Sequence, residues 1–171
     1  MPLLLIAVGN PFRQDDGVGL AVAEAVRAAR VPGVEIRCEP GEAAGLVEAW
    51  RGAARVAVVD AMSSGAPAGT VREFHVGNPR DEADLAAAGC RAFSSHGLGV
   101  AAAVGLARQL GALPGALVVI GVEGGAFGTG TALSPDVSGA VARVVARVEA
   151  LAATATPRRR HRAPGRSACR E

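Results

Sequence analysis

Residues 3–19 read LLLIAVGNPFRQDDGVG, and this stretch decides the fold: an apolar run leads through a glycine turn to two adjacent acids. The run Leu3 to Val8 has the length and composition of a buried β-strand, and Gly17 to Ala29 has helix-like composition and spacing. A strand that turns into a helix in this way is typical of an α/β fold. The two acids, Asp15 and Asp16, are unusual in such a turn and point to a function.

The rest of the chain repeats this alternation of strand and helix. Further strands are predicted at Val34 to Cys38, Val56 to Ala61, Val71 to Val76 and Leu117 to Val122. Further helices are predicted at Ala43 to Trp50, at Gly97 to Leu110, and after Ser134, which is the expected N-cap residue ahead of Pro135. Nearly all-apolar strands indicate a sheet that is covered on both faces. The sequence therefore predicts a three-layer α/β/α sandwich around a mostly parallel sheet of about five strands.

Composition limits the class of protein. A chain of 171 residues, 50% hydrophobic and 20% charged, fits one globular domain. No run approaches the ~18 to 20 apolar residues of a membrane helix, and the start MPLLLIAVGN lacks the basic region and cleavage site of a signal peptide. The three cysteines form no C-x-x-C pair, so neither a disulfide framework nor a cysteine-rich zinc site is expected. A reducing cytoplasm is the expected setting.

The charge is unevenly distributed. The segment 154–171 holds six arginines and one acid, and subtracting its +5 from the formal +2 leaves −3 for residues 1–153. Proline, serine and threonine without apolar periodicity favour a solvated, disordered tail over a nucleic-acid or membrane contact. We therefore expect one domain at 1–153, a basic tail at 154–171, and neither a nucleic-acid nor a membrane partner.

Polar residues follow the predicted strands at the edge where α/β proteins bind their ligands. They are Asn10, Asp15, Asp16, Asp60, His96 and Glu123. Two carboxylates and an imidazole from three turns suit a borderline divalent metal ion. Each also has a structural alternative, because one acid of the pair would cap the helix near Gly17, Asp60 could form a turn, and His96 could lie at a helix start.

Nucleotide and serine-hydrolase sites are poorly supported. The glycines at positions 9, 17 and 19 do not fit G-x-G-x-x-G, and the two acids between them would repel a pyrophosphate. The chain has no lysine for a P-loop and no G-x-S-x-G nucleophile elbow.

The segments VGNPFRQDDGVG, VVDAMSSG, SSHGLG, VIGVEGG and LSPDV, in this order, resemble the hydrogenase maturation proteases. These endopeptidases trim the C-terminal extension of the large subunit of nickel-iron hydrogenases. The resemblance implies that Asp16, Asp60 and His96 contact the metal and form the catalytic site, and that Asp15 supports or caps the turn. It covers roughly Leu3 to Leu151. The turn after the second strand, with Glu42, differs from the Gly-Gly-Thr-like turn of many members.

The resemblance also implies a partner and a source of metal. Nickel would arrive already bound in the nickel-iron hydrogenase large-subunit precursor, and one peptide bond would then be hydrolysed. Two other classes remain open at this stage. One is a metal-binding or maturation chaperone module without protease activity, and the other is a nucleoside-phosphorylase-like small-molecule enzyme on the same architecture.

Overall fold

A five-stranded sheet forms the centre of the computed structural model, which describes residues 1–89 and 99–154. The strands are β1 Leu3–Val8, β2 Val34–Glu39, β3 Arg55–Met62, β4 Val71–His75 and β5 Ala116–Glu123. They lie in the order β2-β1-β3-β5-β4, with β4 antiparallel to β5 and the other pairs parallel. All five predicted strands are confirmed, and every boundary lies within one residue of the prediction.

Helices cover both faces of this sheet, which confirms the α/β/α architecture. They are α1 Val18–Ala28, α2 Ala43–Ala49, α3 Pro79–Gly89, α4 Val100–Gln109 and α5 Pro135–Ala153, and a 3₁₀ helix at Gln14–Gly17 precedes α1. The helices α1 and α5 pack on one face, and α2, α3 and α4 pack on the other. The predicted start of α4 at Gly97 lies outside the described residues.

Two apolar clusters fill the space between the layers. On the face covered by α1 and α5, Leu5 and Ile120 of the sheet are fully buried among valines of both helices. On the other face, Ile6 and Val58 pack with the fully buried Trp50 at the end of α2. Successive strand residues point to opposite faces, so a strand buried on both sides must be apolar throughout. This requirement explains why β1 has no polar residue.

The helix α3 was not predicted, although its start carries a recognisable signal. Asn78 accepts a hydrogen bond at Oδ1 from the Arg80 N–H, 3.0 Å away, and Pro79 is the first helical residue. Asp81 and Glu82 lie in the first turn, where carboxylates are favoured by the free N–H groups. An N-cap residue followed by proline and by acid in the first turn is also the pattern at the start of α5, and it would have located α3 as well.

The helix α5 crosses the whole molecule from one edge of the sheet to the other. It begins after β5, at the carboxyl edge of the parallel strands. At its far end, Arg55 at the start of β3 donates from Nη2 to the Leu151 carbonyl at 2.7 Å and to Thr154 Oγ1 at 3.0 Å. The chain therefore leaves α5 at the amino edge. Residues 155–171, most of the predicted tail, lie outside the described residues. None of the described helices is both long and apolar enough to cross a membrane.

Gly19, in the first turn of α1, sets how closely this helix approaches the sheet. A Cβ added at this position would overlap the Val8 carbonyl oxygen and lie 2.6 Å from the Val59 carbonyl oxygen. These are backbone atoms near the carboxyl ends of β1 and β3, so they cannot move aside without disturbing the sheet. Only glycine lets α1 start directly on the junction of the two strands.

We expect Gly19→Ala to lower the free energy of unfolding by roughly 3 kcal/mol, the upper part of the range for overpacked cores. Gly139→Ala is the matched control because Gly139 lies in α5, is exposed, and has open space around its Cα. This control should gain about 0.5 to 1 kcal/mol from the better helix propensity of alanine. Urea unfolding of the two variants measures both changes, and equal effects would contradict the steric role of Gly19.

Candidate active site

The carboxyl edge of the sheet is built around the junction of β1 and β3. The chain leaves β1 towards β2 on one side and leaves β3 towards β5 and β4 on the other. Loops that diverge from neighbouring parallel strands leave a crevice between them, and ligands of open α/β sheets bind there. Asp16 follows β1 and Asp60 lies near the end of β3, so both predicted site carboxylates belong to this crevice.

The turn after β1 folds back so tightly that it requires a glycine. Gly9 has a φ of +144°, and a Cβ at this position would overlap the Asp16 carbonyl oxygen. The turn is closed by a hydrogen bond of 3.0 Å from the Asn10 N–H to Asp16 Oδ2. The Asp16 carboxylate is therefore held against the end of β1 and remains partly exposed.

Asp15 has a different role from its neighbour. Its side chain is fully buried, and it accepts hydrogen bonds from the N–H groups of Gly125, Ala126 and Ser134 at 2.6 to 2.8 Å. The Ser134 hydroxyl donates a fourth bond to Asp15 Oδ2 at 2.9 Å. Asp15 thus joins the turn after β1 to the loop between β5 and α5.

The pKa of Asp15 reports the same arrangement. Burial disfavours the carboxylate, yet the hydrogen bonds from Ser134, Gly125 and Ala126 outweigh burial and hold its pKa below the usual value. Asp15 is therefore ionised at neutral pH. Its contribution to stability is present above the ordinary carboxyl pKa and is lost as the pH falls through the lowered one.

The prediction that Asp15 or Asp16 caps α1 was wrong, whereas Ser134 was correctly placed at the N-cap position of α5 but makes no capping hydrogen bond. Gly17 is the N-cap residue of α1, and no side chain makes a capping hydrogen bond there. Ser134 occupies the N-cap position of α5, but its hydroxyl donates to Asp15 instead of capping its own helix. The carboxylate of Asp15 draws the serine away because a charge-assisted hydrogen bond is stronger than a neutral one.

Asp60 differs from Asp15 because its surroundings raise its pKa instead of lowering it. It lies on the face of β3 that carries Val58 and Met62, and it is partly buried. Burial and then the charge of Asp16 raise the pKa of Asp60 to about 7, with the Ala61 N–H opposing this shift. The structure thus brings the Asp16 and Asp60 carboxylates together, close enough to repel each other.

Glu123, another candidate from the sequence, is used to hold a loop. It is buried at the end of β5, and its two oxygens accept hydrogen bonds from the Ser64 N–H, the Ser64 hydroxyl and the Gly65 N–H at 2.7 to 2.8 Å. Asn10 is likewise structural, since its Oδ1 accepts from the Phe12 N–H at 2.9 Å. Ser64, which donates to Glu123, lies 59 residues away from it in sequence, so no local pattern could have predicted this pair.

His96, the third predicted site residue, lies outside the described residues. Within residues 1–89 and 99–154, no group of three or more histidine, cysteine, aspartate or glutamate side chains is arranged to hold a metal ion. What these residues provide is a pair of carboxylates at the end of the sheet. Such a pair suits a divalent cation, because a cation between two carboxylates turns their repulsion into attraction.

A family model described as HycI, hydrogenase maturation protease, matches residues 41–151. The match includes Asp60 and His96, whereas Asp15 and Asp16 precede it. No curated protein matches the chain.

Solved structures of similar fold carry related descriptions. The hydrogenase maturating endopeptidase HybD from E. coli is 23% identical, with 91% of this chain and 94% of that chain covered and a TM-score of 0.72. The [NiFe] hydrogenase maturation protease HybD from Thermococcus kodakarensis is 24% identical, with coverages of 89% and 99% and a TM-score of 0.65. The endopeptidase HycI from Escherichia coli is 24% identical, with coverages of 88% and 90% and a TM-score of 0.70. At these identities the likeness supports the fold.

Removing the carboxylate of Asp15 should destabilise the protein more than removing that of Asp16. We expect Asp15→Ala to lower the free energy of unfolding by roughly 3 to 5 kcal/mol, because three backbone N–H groups lose their acceptor. Asp16→Ala should cost less than about 1 kcal/mol, since it removes one hydrogen bond at a partly exposed turn. Chemical unfolding at neutral pH measures both variants, and equal losses would contradict the division of roles.

The raised pKa of Asp60 should make the protein less stable as the pH rises. The folded state keeps a proton that the unfolded state has lost, so the contribution of Asp60 is present below about pH 4 and is lost as the pH rises through about 7. Relative to the wild type, Asp60→Asn should therefore gain stability between pH 5 and pH 8.

We expect this gain to be roughly 1 to 2 kcal/mol. Converting the whole pKa shift at ~1.4 kcal/mol per unit would give a larger figure, but Asp60 is partly exposed and water screens its charge. Glu24→Gln, which removes an exposed acid of α1, is the control and should change the free energy of unfolding by less than about 0.5 kcal/mol. Parallel unfolding curves for the wild type and Asp60→Asn across this pH range would refute the electrostatic description of the pair.

Proposed function

This chain belongs to the hydrogenase maturation protease family and is a peptidase; from this premise, we propose that it removes the C-terminal extension of a nickel-iron hydrogenase large-subunit precursor after nickel insertion. The observation that carries the proposal is the pair of mutually repelling carboxylates, Asp16 and Asp60, at the junction of β1 and β3. The partner is the precursor, and the reaction is the hydrolysis of one peptide bond.

In this proposal nickel is part of the substrate. Asp16 and Asp60 would contact nickel held by the precursor, and His96 would be the third contact. Two carboxylates and an imidazole are suitable donors for nickel, and three protein contacts leave coordination positions for the groups of the precursor. A cation shared by the two proteins would add to their affinity only when the precursor is loaded. Recognition of nickel would then ensure that cleavage follows insertion.

The same three residues form the proposed catalytic set, which makes the enzyme an aspartyl-type endopeptidase. The pKa of Asp60, raised to about 7, suits general acid and base chemistry, since it lies near neutrality. Binding of a cation would favour the ionised form of Asp60. Hydrolysis on the loaded precursor would therefore begin with Asp60 ionised.

Family membership favours this function over the two alternatives that the sequence left open. A metal-binding or chaperone module would bind the precursor without releasing a peptide, and a nucleoside-phosphorylase-like enzyme would need a site for a sugar and a phosphate. The two carboxylates repel a phosphate anion. A cytoplasmic location is part of the proposal and rests on the three scattered cysteines.

The proposal is tested with purified protein and with precursor prepared with and without nickel. We expect the loaded precursor to lose its C-terminal extension, seen as a decrease in large-subunit mass, and the nickel-free precursor to remain intact. The reason is that the metal is the common ligand that draws the carboxylates to the substrate. Equal cleavage of both precursors would refute metal recognition and leave Asp16, Asp60 and His96 with acid and base roles alone.

The variants Asp16→Asn, Asp60→Asn and His96→Ala test the residues in the same assay. Each should slow cleavage on the order of 100-fold or more, because each removes a proposed metal contact. Thermal unfolding of Asp16→Asn and Asp60→Asn should stay cooperative, since asparagine has nearly the same volume as aspartate. Glu24→Gln is the control, because it removes an exposed acid of α1 that lies away from the carboxyl edge. A variant that cleaves at the wild-type rate would remove that residue from the site.

A further inference from the structure

Phe12 projects into solvent from the turn that carries the site. Its exposed fraction is 67%, and Met1 and Leu110 are the other exposed large hydrophobic residues in the described part of the chain. Met1 is a chain terminus. Leu110 follows α4, which leads into the amino end of β5 at the opposite edge of the sheet. Phe12 is thus the exposed large apolar side chain that the described structure places at the carboxyl edge.

The backbone around Phe12 is fixed on both sides. The Phe12 N–H donates to Asn10 Oδ1 at 2.9 Å, and the Phe12 carbonyl accepts from the Gly130 N–H at 3.0 Å. The next residue but one, Gln14, donates its N–H to the Gly130 carbonyl at 2.8 Å and has a φ of +50°. The exposed ring is therefore carried by an ordered turn that is bonded to the loop after β5, and the turn would lose little freedom on binding.

Asn10 connects this ring to the site. Its side chain accepts the hydrogen bond from Phe12, while its own N–H donates to Asp16 Oδ2 at 3.0 Å. The backbone of Phe12 and the carboxylate of Asp16 are thus held by the same residue. The exposed ring and the Asp16 carboxylate therefore belong to the same ordered turn.

We propose that Phe12 is a specificity-determining residue that binds an apolar side chain of the precursor close to the bond that is cleaved. The inference rests on the proposed function, because it takes Asp16 as part of the cleavage site. A phenyl ring has no conventional hydrogen-bonding group, so an apolar side chain is the partner that covers it without losing hydrogen bonds to water. Covering an exposed ring that is already ordered removes apolar surface from water at little entropic cost, which is how anchor residues contribute affinity.

Steady-state processing of nickel-loaded precursor by Phe12→Ser tests the inference. We expect KM to rise about tenfold with kcat and melting temperature unchanged, because the ring contributes to binding and lies outside the reacting atoms. Phe12→Leu should restore most of the affinity, since it returns apolar surface to the same position. Leu110→Ser is the matched control, because it removes a similarly exposed side chain at the opposite edge, and it should leave KM at the wild-type value.

An unchanged KM for Phe12→Ser, or a rise of equal size for Leu110→Ser, would overturn the inference. Failure of the proposed function gives a different result, because the wild type itself then leaves the loaded precursor uncleaved. In that case the dissociation constant of the uncleaved precursor is measured by calorimetry for the wild type and Phe12→Ser. Weaker binding of Phe12→Ser would support Phe12 as the docking residue, and equal binding would overturn that role.

Discussion

The hydrogen bonds accepted by the buried carboxylate of Asp15 are the interaction on which the carboxyl edge depends. A buried charge is tolerated only when donors replace its lost water, and here three backbone N–H groups and one hydroxyl do so. All the donors come from the chain between β5 and the start of α5. One side chain thus fixes the turn after β1, the loop after β5 and the entry into the last helix. Because Asp15 is immobilised in this way, the position of the adjacent Asp16 is fixed as well.

The edge contains two kinds of carboxylate, and burial alone does not separate them. Asp15 and Glu123 are both fully buried, but both are surrounded by N–H and hydroxyl donors and hold loops in place. Asp60 is only partly buried, yet burial and then the charge of the neighbouring Asp16 raise its pKa to about 7. The structural carboxylates thus receive several internal donors, whereas the main influences on Asp60 are burial and the charge of Asp16. This imbalance is the physical signature of the site.

Much of the fold follows from the sequence because the central strands, such as β1, are buried on both faces. The apolar run Leu3 to Val8 is typical of a strand of that kind, and the glycine turn after it favours a helix packed on the sheet. The roles of Asp15, Glu123 and Ser134 could not be derived in this way, because their partners are 58 to 119 residues distant. The antiparallel pairing of β4 with β5 depends on similarly distant contacts. The sequence therefore placed these acids at the carboxyl edge of the sheet, but it could not show which of them accept hydrogen bonds from distant parts of the chain.

The direction of α5 has a practical consequence for handling the protein. This helix starts beside Asp15 and ends beside Arg55, so the peptide bond after Thr154 is a full strand length away from Asp16 and Asp60. A purification tag or a surface linker placed after this helix therefore starts on the far side of the molecule from the site. Immobilisation through that end would leave the crevice facing the solution, whereas attachment at Met1, two residues before β1, would anchor the sheet itself.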